Sequence, residues 1–75
     1  MALAFVLINT SPSTMEDIQQ KIRKTEGVKE AYMVYGVYDI VAEIEAKTVP
    51  KIKEIVIEIR KINGIKSTLT LTAAV

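Results

Sequence analysis

The sequence contains no cysteine and no histidine, and it has few glycines and prolines, three and two respectively. Without Cys and His a small chain can be held together neither by disulfides nor by the usual structural metal sites. The same absences remove the commonest general base and the thiol nucleophile, and no Ser or Thr has an evident base beside it, so an enzyme reading has little to stand on. No cofactor is implied. Neither sign of charge dominates: ten Lys and Arg face nine Asp and Glu. A balance this even provides no large positive field for a phosphate backbone, and direct nucleic-acid binding is not expected. Long hydrophobic runs are missing too. The apolar stretch from Ala2 to Ile8 lacks a basic start and passes straight into Asn9 and Thr10, which excludes a signal peptide or membrane span there. A cytoplasmic protein without membrane contact is the expectation.

What is present is an apolar, short chain. Seventy-five residues, 49% of them hydrophobic and 25% charged, suffice for one domain, taken as residues 1–75. A single core of that size hides too little surface to be comfortable alone. Self-association is the remaining remedy.

Leu3 to Ile8 reads as a strand buried on both faces. Ser13 and Glu16 form a capping box, and Met15, Ile18 and Ile22 follow at helical spacing, predicting a first helix from about Ser13 to Glu26 that Gly27 ends. Alternation predicts a second strand from Ala31 to Tyr35 and a third from Ile40 to Ala46. Thr48 caps a second helix with the stripe Ile52, Ile55, Val56, Ile59 and Ile62, and Pro50 is tolerated in its first turn. Asn63-Gly64 closes that helix, and Ser67 to Ala73 alternates Leu and Thr as a last strand.

The order βαββαβ hides a duplication. Glu26-Gly27-Val28-Lys29-Glu30-Ala31 matches Asn63-Gly64-Ile65-Lys66-Ser67-Thr68 in pattern, each where a helix hands over to a strand. Two βαβ-type halves with right-handed crossovers give an α+β, ferredoxin-like sandwich: a four-stranded antiparallel sheet with both helices on one face. The first and third strands are then central, and the uncovered face exposes Val6 or Phe5 with their neighbours. Such a contiguous apolar patch predicts a face-to-face dimer. Ile57, off the main stripe of the second helix, is either a stray surface residue or part of a further interface.

Candidate chemistry is sparse. Asp39, Glu43 and Glu45 form the best carboxylate group, but without a glycine-bearing calcium-type loop they specify no metal site; Glu43 and Glu45 read as solvated strand charges. Acylphosphatases share the fold class but need a phosphate-cradling loop with a helping Arg, where this chain has Asn9-Thr10-Ser11-Pro12-Ser13. RNA-binding domains of the RRM type stack bases on aromatics of the central strands, and the third strand here has none.

One segment stands out. In Tyr35-Gly36-Val37-Tyr38-Asp39 a glycine sits between two tyrosines and a carboxylate opens the next strand. As a hairpin, Gly36 supplies a positive φ, Tyr38 packs and Asp39 bonds local backbone. As a binding loop, Asp39 holds a ligand ammonium group, Gly36 lets the ligand approach the backbone, and Tyr35 or Tyr38 covers its apolar part.

The succession of a helix ending in Gly27-Val28, a strand, Gly36-Val37-Tyr38-Asp39 opening an apolar strand, a helix ending in Gly64-Ile65, and the strand Ser67-Thr68-Leu69-Thr70-Leu71-Thr72 resembles the effector-binding domain of Lrp/AsnC regulators over essentially the whole chain. The resemblance implies a dimeric α/β barrel in which sheets pair, dimers assembled into an octamer-like ring, and a small effector, an amino acid, bound between dimers near the loop joining the second and third strands. It carries Gly36, Tyr38 and Asp39 onto the site, with Thr68 and Thr70 from the last strand; Tyr35 is added by adjacency. Full regulators carry an N-terminal helix-turn-helix domain, whereas here Met1 is followed almost at once by the first strand, so a stand-alone module acting on full-length Lrp/AsnC regulators or on an enzyme is expected. The alternatives are a structural oligomerisation module without ligand and a small dimeric α/β-barrel enzyme.

Overall fold

The computed structural model describes residues 1–11 and 15–73. Its elements are β1 (Ala2–Thr10), α1 (Met15–Arg23), β2 (Val28–Met33), β3 (Ile40–Ala46), α2 (Val49–Arg60) and β4 (Ile65–Ala73). The strands form one antiparallel sheet in the order β2-β3-β1-β4. The two most apolar strands are therefore central, and the arrangement is ferredoxin-like as the alternation predicts. No helix of the described residues is long and apolar enough to cross a membrane.

Alternation decides which side chains enter the core. Ala4, Val6 and Ile8 of β1 and Ile40, Ala42 and Ile44 of β3 are buried against Ile18 and Ile22 of α1 and Ile52, Ile55 and Ile59 of α2. Small alanines on the strands leave room for isoleucines on the helices, and each fully buried isoleucine stabilises the fold by about 1.5–3 kcal/mol.

The Ser13 end of the predicted capping box lies outside the described residues. At its other end α1 stops at Arg23, short of the predicted Glu26. Thr25 N donates to Ile22 O at 3.0 Å and Thr25 Oγ1 to Lys21 O at 3.0 Å, which winds the chain into a tight turn. Gly27 then reverses it with φ +94°, and a Cβ there would run into Ile55 Cδ1; only glycine meets both demands. The same turn recurs after α2, where Ile62 N donates to Ile59 O at 3.0 Å, Ile65 N to Ile62 O at 3.4 Å, and Gly64 has φ +101°. The duplication read from the sequence thus recurs in the backbone bonds of the turn, Val28 N donating to Thr25 O at 3.1 Å as Ile65 N does to Ile62 O. Thr48 caps α2 as predicted, its hydroxyl accepting from Lys51 N at 3.3 Å.

Two strand limits differ from the alternation. β2 ends at Met33 rather than Tyr35, because Val34 N to Asp39 O at 2.9 Å is the last rung and the chain then leaves the sheet. β4 begins at Ile65, directly after the turn glycine, rather than at Ser67.

The uncovered face is settled by register. Leu3, Phe5 and Leu7 lie between Ala73, Leu71 and Leu69 on one side and Glu45, Glu43 and Val41 on the other. Phe5 is thus on the open face and Val6 in the core. Leu69, Leu71 and Tyr32 are 45%, 50% and 52% exposed, an apolar sheet surface without cover. At its margin Lys29 Nζ sits 3.2 Å from Glu45 and 4.0 Å from Glu43. The Glu45 hydrogen bond, with both carboxylate charges, raises the Lys29 pKa above its ordinary value.

Candidate functional site

The loop 34–39 projects from one end of the sheet, where β1 and β2 finish and β3 and β4 start. It is closed at its base by the Val34–Asp39 rung and fastened to β1 by two further bonds: Asp39 N donates to Ile8 O at 2.9 Å, and Asp39 Oδ2 accepts from Thr10 N at 2.9 Å. The Asp39 carboxylate therefore bonds the distant end of β1, while its backbone carbonyl closes the loop on Val34. This geometry holds the carboxylate in place by one oxygen; Oδ1 takes no hydrogen bond among the described residues. A half-buried carboxylate with one oxygen fixed and one available is a ready acceptor for an ammonium group, since charge-assisted hydrogen bonds are the stronger kind.

Around it, Tyr38 is half-buried, while Tyr35, Gly36 and Val37 are exposed. Gly36 has φ +147°, and a Cβ added there would meet nothing within 4 Å. Its glycine character answers a backbone need, and the space beside it is open for another molecule.

Thr68 and Thr70 are placed by register opposite Ile8 and Val6. They point to the helix side of the sheet, whereas the leucines of β4 point to the open side. Ile8 also pairs with Ile40, so Thr68 lies in the same row as the start of β3, two strands across, or roughly 10 Å at ordinary strand spacing. Thr70 is one row further from the loop and lines a separate groove of about 370 Å³ between α2 and β4. Tyr38 and Asp39 are thus brought together, Gly36 and Tyr35 stand just beyond them, Thr68 is at the same end of the sheet, and Thr70 is not part of this cluster.

Thr10 is the residue that sequence reasoning passed over. It is 3% exposed; its N–H is held by Asp39 and its Oγ1 is buried without a hydrogen-bond partner among the described residues. A buried unsatisfied hydroxyl is uncommon and calls for an explanation. The available signal was its place at the end of an apolar run, which reads equally well as the strand simply giving out. Glu43 and Glu45 are engaged with Lys29 far from the loop, and among the described residues no three metal-capable side chains come together.

Comparison with known proteins agrees with this architecture. The chain is 37% identical over 70 residues to a homocitrate synthase of Sulfolobus acidocaldarius, a match covering 93% of this chain and 15% of the enzyme. It spans, then, only a small part of that curated relative. Among solved structures, TTHA0845 from Thermus thermophilus is 33% identical with a TM-score of 0.94, covering 99% of this chain and 94% of that one. AsnC of E. coli is 26% identical with a TM-score of 0.88, covering 96% of this chain and 50% of that one. A family model described as the Lrp/AsnC ligand binding domain matches residues 3–74, and the chain belongs to that family.

Proposed function

We propose that this chain is an effector-sensing regulatory module that acts as one domain over residues 1–75 and binds a small molecule of the amino-acid class at the loop 34–39. The observation that carries the reading is Asp39: a half-buried carboxylate, fixed by Thr10 N–H through Oδ2 and left with Oδ1 to accept from an effector ammonium. Gly36 leaves space for the effector beside the backbone, and Tyr38 covers its apolar part. Thr68 contributes from β4, two strands across from the start of β3; Thr70 and Tyr35 belong to the site only through a second subunit.

The site is incomplete within one chain, and assembly completes it. The open face around Phe5, Leu71 and Leu69 supports pairing of two sheets into a dimeric barrel, and dimers gathered into an octamer-like ring bring loops of different dimers together. The module works in the cytoplasm. Full-length Lrp/AsnC regulators are one partner class. The stretch shared with a homocitrate synthase supports a second, in which the same sensing unit serves an enzyme.

A competing reading, an assembly module without ligand, is favoured by the same Asp39–Thr10 bond, which gives the carboxylate a purely structural use. Asp39→Asn separates the two, because the amide oxygen still accepts from Thr10 N while the charge is gone. Melting temperatures and native masses are measured with each standard amino acid. Sensing predicts that one or a few of them raise the melting temperature or change the mass of the wild type and do neither to Asp39→Asn. An assembly that ignores every amino acid in both proteins supports the structural reading.

A further inference from the structure

The hydroxyl of Thr10 serves nothing in the free protein. β1 alternates, and the residues it buries against the helices are Ala4, Val6 and Ile8 before Thr10. A valine has nearly the shape of a threonine and would end this row without a polar atom. Thr10 Oγ1 is instead buried with no hydrogen-bond partner among the described residues, and a hydroxyl in that state costs free energy that an apolar side chain of the same shape avoids. Its neighbour is the Asp39 carboxylate, which takes the N–H of the same residue through Oδ2 and leaves the O–H alone.

Asp39 serves one donor of Thr10 and not both, with its backbone pinned on each side: Asp39 N donates to Ile8 O and Asp39 O accepts from Val34 N, each at 2.9 Å. A carboxylate that is not part of the chain has no such tether. It can turn one oxygen to the N–H of Thr10 and the other to its O–H, and hydrogen bonds to an ionised acceptor are the stronger kind. The same corner of the sheet carries a cation. Thr10 pairs with Ile65 and Asn9 with Ser67, so Lys66 is the extra residue of the bulge between them. It is exposed and makes no ion pair among the described residues.

We propose that Thr10 is the carboxylate subsite of the effector site, and that the Asp39–Thr10 bond is a placeholder which the effector replaces. This rests on the reading of Asp39 as the ammonium acceptor. The effector lands with its ammonium on Oδ1. Its carboxylate then takes the Thr10 N–H from Oδ2 and adds the O–H, while both oxygens of Asp39 turn to the ammonium. Asp39 exchanges a neutral donor for a charged one, and Thr10 ends with both of its donors on an ionised acceptor. The exchange favours an ammonium and a carboxylate carried on the same carbon. A simple amine leaves the Thr10 hydroxyl buried and unpaired, and a site built to hydrogen-bond a group rejects the analogue that lacks it.

The test titrates the wild type, Thr10→Val and Thr10→Ser calorimetrically with every standard amino acid and with its α-amide, which keeps the ammonium and lacks the carboxylate. For an amino acid that binds the wild type, the amide should bind about tenfold more weakly. Thr10→Val should weaken the amino acid by about the same factor and the amide hardly at all, while Thr10→Ser, which keeps the hydroxyl, recovers most of the loss. Urea unfolding without ligand should place the Thr10→Val midpoint at or above that of the wild type, because the hydroxyl has no partner to lose. A Thr10→Val protein less stable than the wild type has lost a hydroxyl that was already bonded, and overturns the proposal. Equal affinity of the wild type for amide and amino acid, undiminished binding of the amino acid to Thr10→Val, or equal losses for the two ligands also overturn it, and all of these leave Asp39 as the ammonium acceptor. A wild type that responds to no amino acid and no amide overturns it together with the reading of the site on which it rests.

Discussion

The two edges of the sheet are built from the same supersecondary unit and end in opposite conditions. At β2 the outward backbone groups of Ala31 are closed by Gln19 and Glu30, with Arg23 fixing the carboxylate. At β4 the matching positions hold Val56 and Ser67, and among the described residues no side chain closes the outer edge. Exposed strand edges invite pairing with other chains, and proteins commonly blunt them. A repeated fold therefore need not repeat its surface: two side-chain differences, outside the core pattern that specifies the fold, separate a closed edge from an available one.

The comparison can be broken most visibly at Gln19. Gln19→Leu leaves Ala31 O without its buried donor and is expected to lower stability by about 1–3 kcal/mol in urea unfolding; a neutral result means that water closes the β2 edge as well as the side chain does. A smaller effect is expected from Ser67→Glu, which offers Arg60 the partner that Arg23 already has. Stability should change by less than about 1 kcal/mol in the same urea unfolding. A larger gain means that the new carboxylate closes the β4 edge as Glu30 closes that of β2.

The smallest effect concerns acid. The Ala31 N–H, and after it Arg23, hold the Glu30 carboxyl below its ordinary value of 4.5. A folded-state pKa below the unfolded one adds stability above the unfolded value, and this is lost as pH falls through the lowered one. The urea midpoint of the wild type should thus fall on acidification slightly more than that of Glu30→Gln. Equal slopes show that the exposed pair adds nothing.

Most of the fold was legible because it rests on local periodicity: the 3.6-residue stripes of α1 and α2, the alternation in β1, β3 and β4, and the repeated helix–glycine–strand passage at Gly27 and Gly64. What escaped depends on partners far apart in sequence. Alternation runs on through Val34 and Tyr35, so nothing local marks Met33 as the end of β2; Asp39 O, accepting from Val34 N, does. Whether Phe5 or Val6 faces the helices, and whether the β4 threonines or leucines do, is fixed by register with β1. The loop 34–39 was picked out from its composition, but the link between Asp39 and Thr10 spans 29 positions, and no short motif encodes it. The separation of Thr70 from the loop cluster has the same origin, since a strand pattern tells which residues share a face and not which row they occupy.

The central claim is that the Asp39 loop binds an amino-acid effector, and its most direct test is an amide NMR titration of the assembled protein with each standard amino acid. The account predicts that at least one produces saturable shifts at Gly36, Tyr38, Asp39 and Thr10, with Lys53 and Ile57 unmoved. No shift with any amino acid, or shifts confined to the groove between α2 and β4, would contradict it.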